Sequence, residues 1–115
     1  MHYGMRSYRY GYRPRGFHSI RAFTLDDADR VEINEAFAVQ FLACANLSCA
    51  KELKLDMAKT TLHDGAISLG HPLGASGSRI VAHLANELHR TGGKIHVGAA
   101  CVGGGQGIAI ILERI

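Results

Sequence analysis

The stretch Gly70-His71-Pro72-Leu73-Gly74-Ala75-Ser76-Gly77-Ser78-Arg79-Ile80-Val81-Ala82-His83-Leu84-Ala85-Asn86-Glu87-Leu88-His89-Arg90-Thr91-Gly92-Gly93-Lys94-Ile95-His96-Val97-Gly98-Ala99-Ala100 decides the fold. Ile80, Leu84 and Leu88 recur at fourfold spacing, and Val81 and Ala85 widen that stripe, so the spacing predicts an amphipathic helix starting near Ser76. Gly92-Gly93 stops it, because glycine takes the left-handed cap without steric cost. Apolar runs over 94–100 and 107–113 then predict two strands, joined by Cys101-Val102-Gly103-Gly104-Gly105-Gln106. Upstream, Val31-Glu32-Ile33 predicts a short strand. Asn34 is placed to cap a helix over 35 to about 53, in which Phe37, Phe41 and Ala45 stack at fourfold spacing. Helix and strand alternate, which is the pattern of a layered α/β fold.

The 115 residues allow one small domain, or part of one. With 47% hydrophobic and 20% charged residues, the chain has the balance of a packed core and not of a disordered segment. Its longest apolar run, around Ile108 to Leu112, falls far below the roughly 20 residues that a membrane-spanning helix needs, so no membrane role is expected.

Charge is divided unevenly along the chain. Arg6, Arg9, Arg13, Arg15 and Arg21 stand in an acid-free first segment whose tyrosines alternate with arginine and glycine, while the remainder is slightly acidic. Residues 1–23 therefore read as an unpacked basic tail ahead of a domain over 24–115. Transit-peptide and single-stranded RNA readings of the tail remain beside that one. A nucleic-acid surface spread over the fold is not expected, since it would need basic residues clustered on one face. Cys44, Cys49 and Cys101 form neither a disulfide framework nor a zinc pair, which fits a reducing compartment. The scattered histidines imply no metal site.

Three loops put reactive side chains among residues that free the backbone. Asn34-Glu35-Ala36-Phe37-Ala38 lies at a strand end, where Asn34 serves either as a cap or as a catalytic group. Gly70-His71-Pro72-Leu73-Gly74-Ala75-Ser76-Gly77 is either a structural turn or a frame for His71, the side chain suited to exchange protons near neutral pH. Cys101-Val102-Gly103-Gly104-Gly105-Gln106-Gly107 joins a cysteine to a glycine run that lets backbone approach a ligand closely, so packed filler and a reactive thiol both fit. The spacing matches neither dinucleotide nor phosphate loops, and the esterase elbow is absent as well.

Taken in this order, the three loops resemble the thiolase family, whose C-terminal half carries NEAFA, GHPxGxSG and CxGGGxG signatures. The resemblance covers roughly Thr24 to Ile115, and the residues around His71 and Cys101 look most like the mitochondrial 3-ketoacyl-CoA thiolases of fatty-acid β-oxidation. It implies a layered α-β-α fold of which this chain holds an incomplete C-terminal half, and a mitochondrial location with a cytoplasmic alternative. The implied reaction is thiolytic cleavage of a 3-ketoacyl-CoA to acetyl-CoA and a shortened acyl-CoA. No resident cofactor is implied; coenzyme A is a co-substrate and acyl-CoA the other ligand. A homo-oligomer or a partner thiolase half is expected.

The resemblance also assigns roles. Cys101 would be the cysteine that protonates the departing carbanion and later deprotonates CoA, as general acid and base. His71 would activate the nucleophilic cysteine of an N-terminal half and hydrogen-bond a substrate oxyanion. Asn34 would hold a water that completes that hole, and Gly103 would offer its backbone N–H to a second oxyanion. Such donors are typically worth ~2.7 to 4 kcal/mol each.

Several positions depart from the family pattern. The nucleophile-bearing half and the first strand and helix of the C-terminal domain have no counterpart in the sequence, which predicts that the isolated chain is inactive. Cys44 and Cys49 fall inside the expected helix and read as small packed residues. Asp64, in Thr61-Leu62-His63-Asp64-Gly65, stands where the family prefers glycine, which is costly if that backbone needs positive φ. The stretch Cys44 to Asp56 is longer than expected. The competing reading is a non-catalytic protein that binds a thiolase subunit or N-terminal half.

Overall fold

The computed structural model of the chain describes residues 3–8, 24–44 and 55–114. Among these the elements run β1 (Tyr3–Tyr8), β2 (Arg30–Ile33), α1 (Ala38–Leu42), α2 (Ala66–Leu69), α3 (Ser76–Thr91), β3 (Ile95–Val102) and β4 (Gln106–Arg114), with one-turn 3-10 segments at Leu25–Asp27 and Met57–Lys59. No helix among them is long and apolar enough to cross a membrane.

The sheet has the order β1-β4-β3-β2. β3 and β4 form an antiparallel hairpin with Val102 opposite Gln106, and β2 lies parallel to β3 with Ile33 opposite Ala99. A parallel neighbour requires a crossover, and the helices between β2 and β3 supply it. The hairpin turn uses Gly104 and Gly105 at φ of 76° and 74°, a left-handed pair that a side chain would strain. Asp29 ties the starts of β2 and β3 together. The Lys94 and Ile95 N–H groups donate to its Oδ2 at 2.6 and 2.8 Å. Those bonds, Ile95's foremost, hold its carboxyl below the usual range against the opposing cost of burial.

α3 covers one face. Ile80, Leu84 and Leu88 are buried against Leu112, with Val81, Ala85 and Ile110 around them, and each such side chain is worth ~1.5–3 kcal/mol when fully buried. The helix can lie this close because β3 has no side chain at Gly98. A Cβ there would stand 2.9 Å from both Ile80 Cγ2 and Leu84 Cδ1. His96, fully buried beside it, donates from Nδ1 to the Leu84 carbonyl at 3.1 Å. On the other face Ala28, Val31 and Val97 form a smaller core with Leu25, Ile33, Leu55 and Ile111. Lys59 Nζ fastens that side by donating to the carbonyls of Ala28 and Leu25 at 2.9 and 3.2 Å.

The predicted helix over 76–91 and the two closing strands are present, with β3 and β4 slightly longer than the apolar runs. The helix expected over 35 to about 53 is corrected at its start. Asn34 does not cap it: its N–H donates to the Ala99 carbonyl at 2.8 Å and prolongs the β2–β3 ladder. α1 begins at Ala38 behind an extended Phe37 and has no side-chain cap. Residues 45–54, Cys49 among them, lie outside the described residues. Within the stretch read as a tail, Tyr3–Tyr8 run as a strand along β4; residues 9–23 lie outside the described residues.

Candidate active site

Two parallel strands end together, and the three loops gather at that end. β2 passes into Asn34, and β3 carries Cys101 beyond Ala99, which faces Ile33 across the ladder. α3 runs antiparallel to β3, since Gly98 meets Ile80 and Leu84 while His96 meets the Leu84 carbonyl further along the helix. The start of α3, with the histidine loop before it, is therefore carried toward the carboxyl end of β3. Open α/β sheets place ligands at the carboxyl ends of their strands.

Asn34 is 1% exposed, and neither Oδ1 nor Nδ2 has a hydrogen-bond partner among the described residues. Burying an amide unpaired costs ~1–3 kcal/mol, so a side chain held this way calls for a partner beyond the described residues. The cap reading of Asn34 is excluded by the same geometry.

His71 sits in a loop that only glycine can open. Gly70 has φ 91° and ψ 161°, a region closed to residues with a Cβ. The His71 Nδ1 lies 2.6 Å from Ser76 Oγ, and that hydroxyl donates to the Pro72 carbonyl at 3.2 Å. With its proton spent on Pro72, the buried Ser76 accepts from Nδ1–H, so of the two neutral tautomers the contact selects the one with its lone pair on Nε2. Ser76 thus sets the histidine's tautomer, a function its place in the first helical turn does not reveal.

The segment before the loop is docked by contacts with no sequence signature. Thr60 bridges Val31, the Thr61 N–H donates to the Val31 carbonyl at 2.8 Å, and the Ile33 N–H donates to Thr61 Oγ1 at 3.2 Å. Asp64 has φ 59°, so the residue standing in place of the family's glycine does occupy a left-handed position. Glu35 reaches across to accept from the Ile67 N–H at 3.4 Å and fills the space a side chain at Gly65 would need.

Cys101 is a free, exposed thiol within β3, opposite Gly107. Gly103 opens the turn that follows, and a Cβ there would meet nothing within 4 Å; the positive φ values belong to Gly104 and Gly105. Cys44 is a free, half-buried thiol just past α1, where Gln40 Nε2 approaches its sulfur at 3.7 Å. Asn34, His71 and Cys101 share one end of the sheet, but no hydrogen bond joins any two of them among the described residues. An open groove lies along α3, from Leu73 and Gly77 to Val81 and Ala85, and none of the three lines it.

Residues 18–114 match the family model for the thiolase C-terminal domain, which begins six residues ahead of the boundary drawn at Thr24. The chain is 59% identical over 90 residues to the human mitochondrial 3-ketoacyl-CoA thiolase, covering 78% of this chain and 21% of that protein. Solved structures of that human enzyme, one of them in complex with CoA, superpose with a TM-score of 0.72 at 58% identity over 80% of this chain and 22% of theirs. An acetyl-CoA acetyltransferase of Bacillus anthracis superposes with a TM-score of 0.72 at 44% identity, over 81% of this chain and 22% of that one. The chain thus spans about a fifth of the length of the curated relatives it matches.

Proposed function

Since the chain belongs to the thiolase family through its C-terminal domain, we propose that it supplies the proton-handling half of a site that cleaves 3-ketoacyl-CoA with CoA. The observation that carries this reading is the meeting of three loops at the carboxyl end of β2 and β3, with Asn34 buried there and its side-chain Oδ1 and Nδ2 without a partner among the described residues. CoA binding is supported by the relative solved in complex with CoA.

A cysteine from a second, nucleophile-bearing half attacks the keto carbonyl, and His71 Nε2, free to accept, takes its proton. The tetrahedral oxyanion is held by His71 and by a water on Asn34. The bond between carbons 2 and 3 then breaks. The electron pair leaves with the acetyl-CoA fragment, Cys101 donates the proton that completes acetyl-CoA, and an acyl-enzyme remains. The Cys101 thiolate next deprotonates CoA, whose sulfur attacks the acyl-enzyme and releases the shortened acyl-CoA. The Gly103 N–H supports the charge that develops on the thioester oxygen of the departing fragment, a role needing no side chain. The name of the human relative favours a mitochondrial location, and a tagged chain imaged against an organelle marker tests it.

The test of the reaction is an acetoacetyl-CoA thiolysis assay on the purified chain, alone and with a nucleophile-bearing thiolase half. The chain alone is expected to be inactive. In the combined system Cys101→Ala and His71→Ala are each expected to lower turnover at least ~100-fold, the usual scale of a general acid–base contribution, while Cys44→Ala leaves it nearly unchanged. Equal losses at all three positions would sink the site assignment.

A second reading is a non-catalytic module that binds a thiolase subunit or N-terminal half. Co-purification that leaves turnover unchanged on Cys101→Ala favours it.

A further inference from the structure

One ion pair crosses from β2 to α3 beside Asn34. Glu32 is 2% exposed, and its Oε1 lies 3.4 Å from Arg79 Nη1. Arg79 stands in the first turn of α3, where its N–H donates to the Ala75 carbonyl at 2.9 Å, so one guanidinium joins the strand that ends in Asn34 to the turn that follows His71. Burial pushes the Glu32 carboxyl up, and the Arg79 charge opposes that shift.

The pair is built loosely for stability and suitably for placement. A single long contact leaves Arg79 Nε and Nη2 buried with no hydrogen-bond partner among the described residues. A buried ion pair of that kind gains little over two apolar side chains of the same volume, because desolvation offsets the attraction. Its value lies in the donors it leaves unpaired beside β2. Side chains alternate along a strand, so Glu32 and Asn34 project from the same face of β2, toward the start of α3. Arg79 brings three unpaired N–H bonds, one on Nε and two on Nη2; Asn34 brings one acceptor oxygen and the two N–H bonds of its amide.

We propose that Arg79, clamped on Glu32, is a positioning residue for Asn34, with its free Nε–H and Nη2–H groups holding the water that Asn34 also holds. Water is the ligand that fits. Asn34 Oδ1 needs a donor, whereas Nδ2 and the guanidinium need acceptors, and water is both. An inorganic anion leaves Oδ1 unpaired and meets the Glu32 carboxylate. The consequence for turnover rests on the role proposed above for Asn34; the geometry itself does not.

The experiment is therefore independent of activity. On the isotopically labelled full chain, NMR cross-relaxation from water to the Asn34 side-chain amide and to the Arg79 Nε–H is measured, together with solvent exchange of that amide. A small oligomer of this 12.4 kDa chain stays within reach of the method. Cross-relaxation is expected at both groups. Arg79→Gln and Glu32→Gln are each expected to speed exchange of the Asn34 amide roughly 5- to 10-fold, the scale of one lost hydrogen bond, while backbone protection along β3 persists. Arg90→Gln, which removes the remote pair with Glu87, is expected to leave it unmoved. Absence of water contact at either wild-type group overturns the proposal, and that reading stands even if both variants fail to fold. Unchanged Asn34 exchange in a folded Arg79→Gln chain, or an equal rise in Arg90→Gln, overturns it too. A thiolysis failure with these signatures intact counts against the proposed reaction alone.

Discussion

Gly70 is the residue on which the histidine loop turns, and its backbone admits nothing else. At φ 91° and ψ 161° a Cβ has room among its neighbours, so strain alone sets the cost of a side chain. Gly70→Ala is expected to lower unfolding free energy by ~1–3 kcal/mol, read by urea denaturation. Asp64 is the reverse case: φ 59° on a residue with a Cβ. Asp64→Gly is expected to add ~0.5–1 kcal/mol, since relief of the left-handed strain exceeds glycine's entropic cost. His96 carries a pH dependence. Burial, the largest cause, holds its pKa below the ordinary 6.5 against the Leu84 hydrogen bond. Protonation thus favours the unfolded chain, where the pKa is ordinary. The stability of neutral His96 is present above about pH 6.5 and is lost as pH falls toward the depressed folded pKa. Denaturation midpoints are expected to be lower at pH 5.5 than at pH 7.5, and His96→Gln is expected to shrink that difference.

At the scale of elements, legibility follows how local the determining forces are. α3 was readable because its stripe, its glycine stop and the strand behind it all agree within one stretch of chain. The start of α1 was not, because the N–H that would open the helix is claimed by Ala99 from another strand, and Glu35 is drawn off to Ile67. Alanine-rich periodicity cannot register a partner more than 60 residues away. Cys101, His71 and Asn34 stand in motifs that the sequence displays, whereas Ser76, Thr61 and Arg79 make contacts that no spacing encodes. Gly98 shows the same limit. In sequence it is a weak strand residue, and in the fold it is the surface on which α3 rests. Gly98→Ala is expected to push α3 off the sheet and cost ~1–3 kcal/mol, as overpacked cores do. The measurement is urea denaturation, with Gly77→Ala as the control because its added methyl meets nothing within 4 Å.

For the whole molecule, the decisive feature is what the sheet and its helix leave uncovered. Along the outer side of β2, Thr60 bridges Val31 and the Thr61 N–H donates to the Val31 carbonyl, so part of that edge is covered. Uncovered apolar area lies elsewhere. Leu73 is 85% exposed at the mouth of the groove along α3, and Phe37, Val39 and Leu42 stand out around α1. Monomeric proteins rarely leave large contiguous apolar patches in water, and such patches mark association surfaces. Burying a side chain such as Leu or Phe returns ~1.5–3 kcal/mol, so a few of them offset much of the entropy lost on pairing. The isolated chain is therefore expected to self-associate or to be recovered with a thiolase partner, and Leu73→Ser is expected to weaken that association without altering backbone protection in α3 and β3. Light scattering over a concentration series reads the first part and hydrogen exchange the second. A sharp monomer at every concentration, with α3 and β3 strongly protected, would mean that this short chain covers its own core and that the exposed leucine and phenylalanine need no partner.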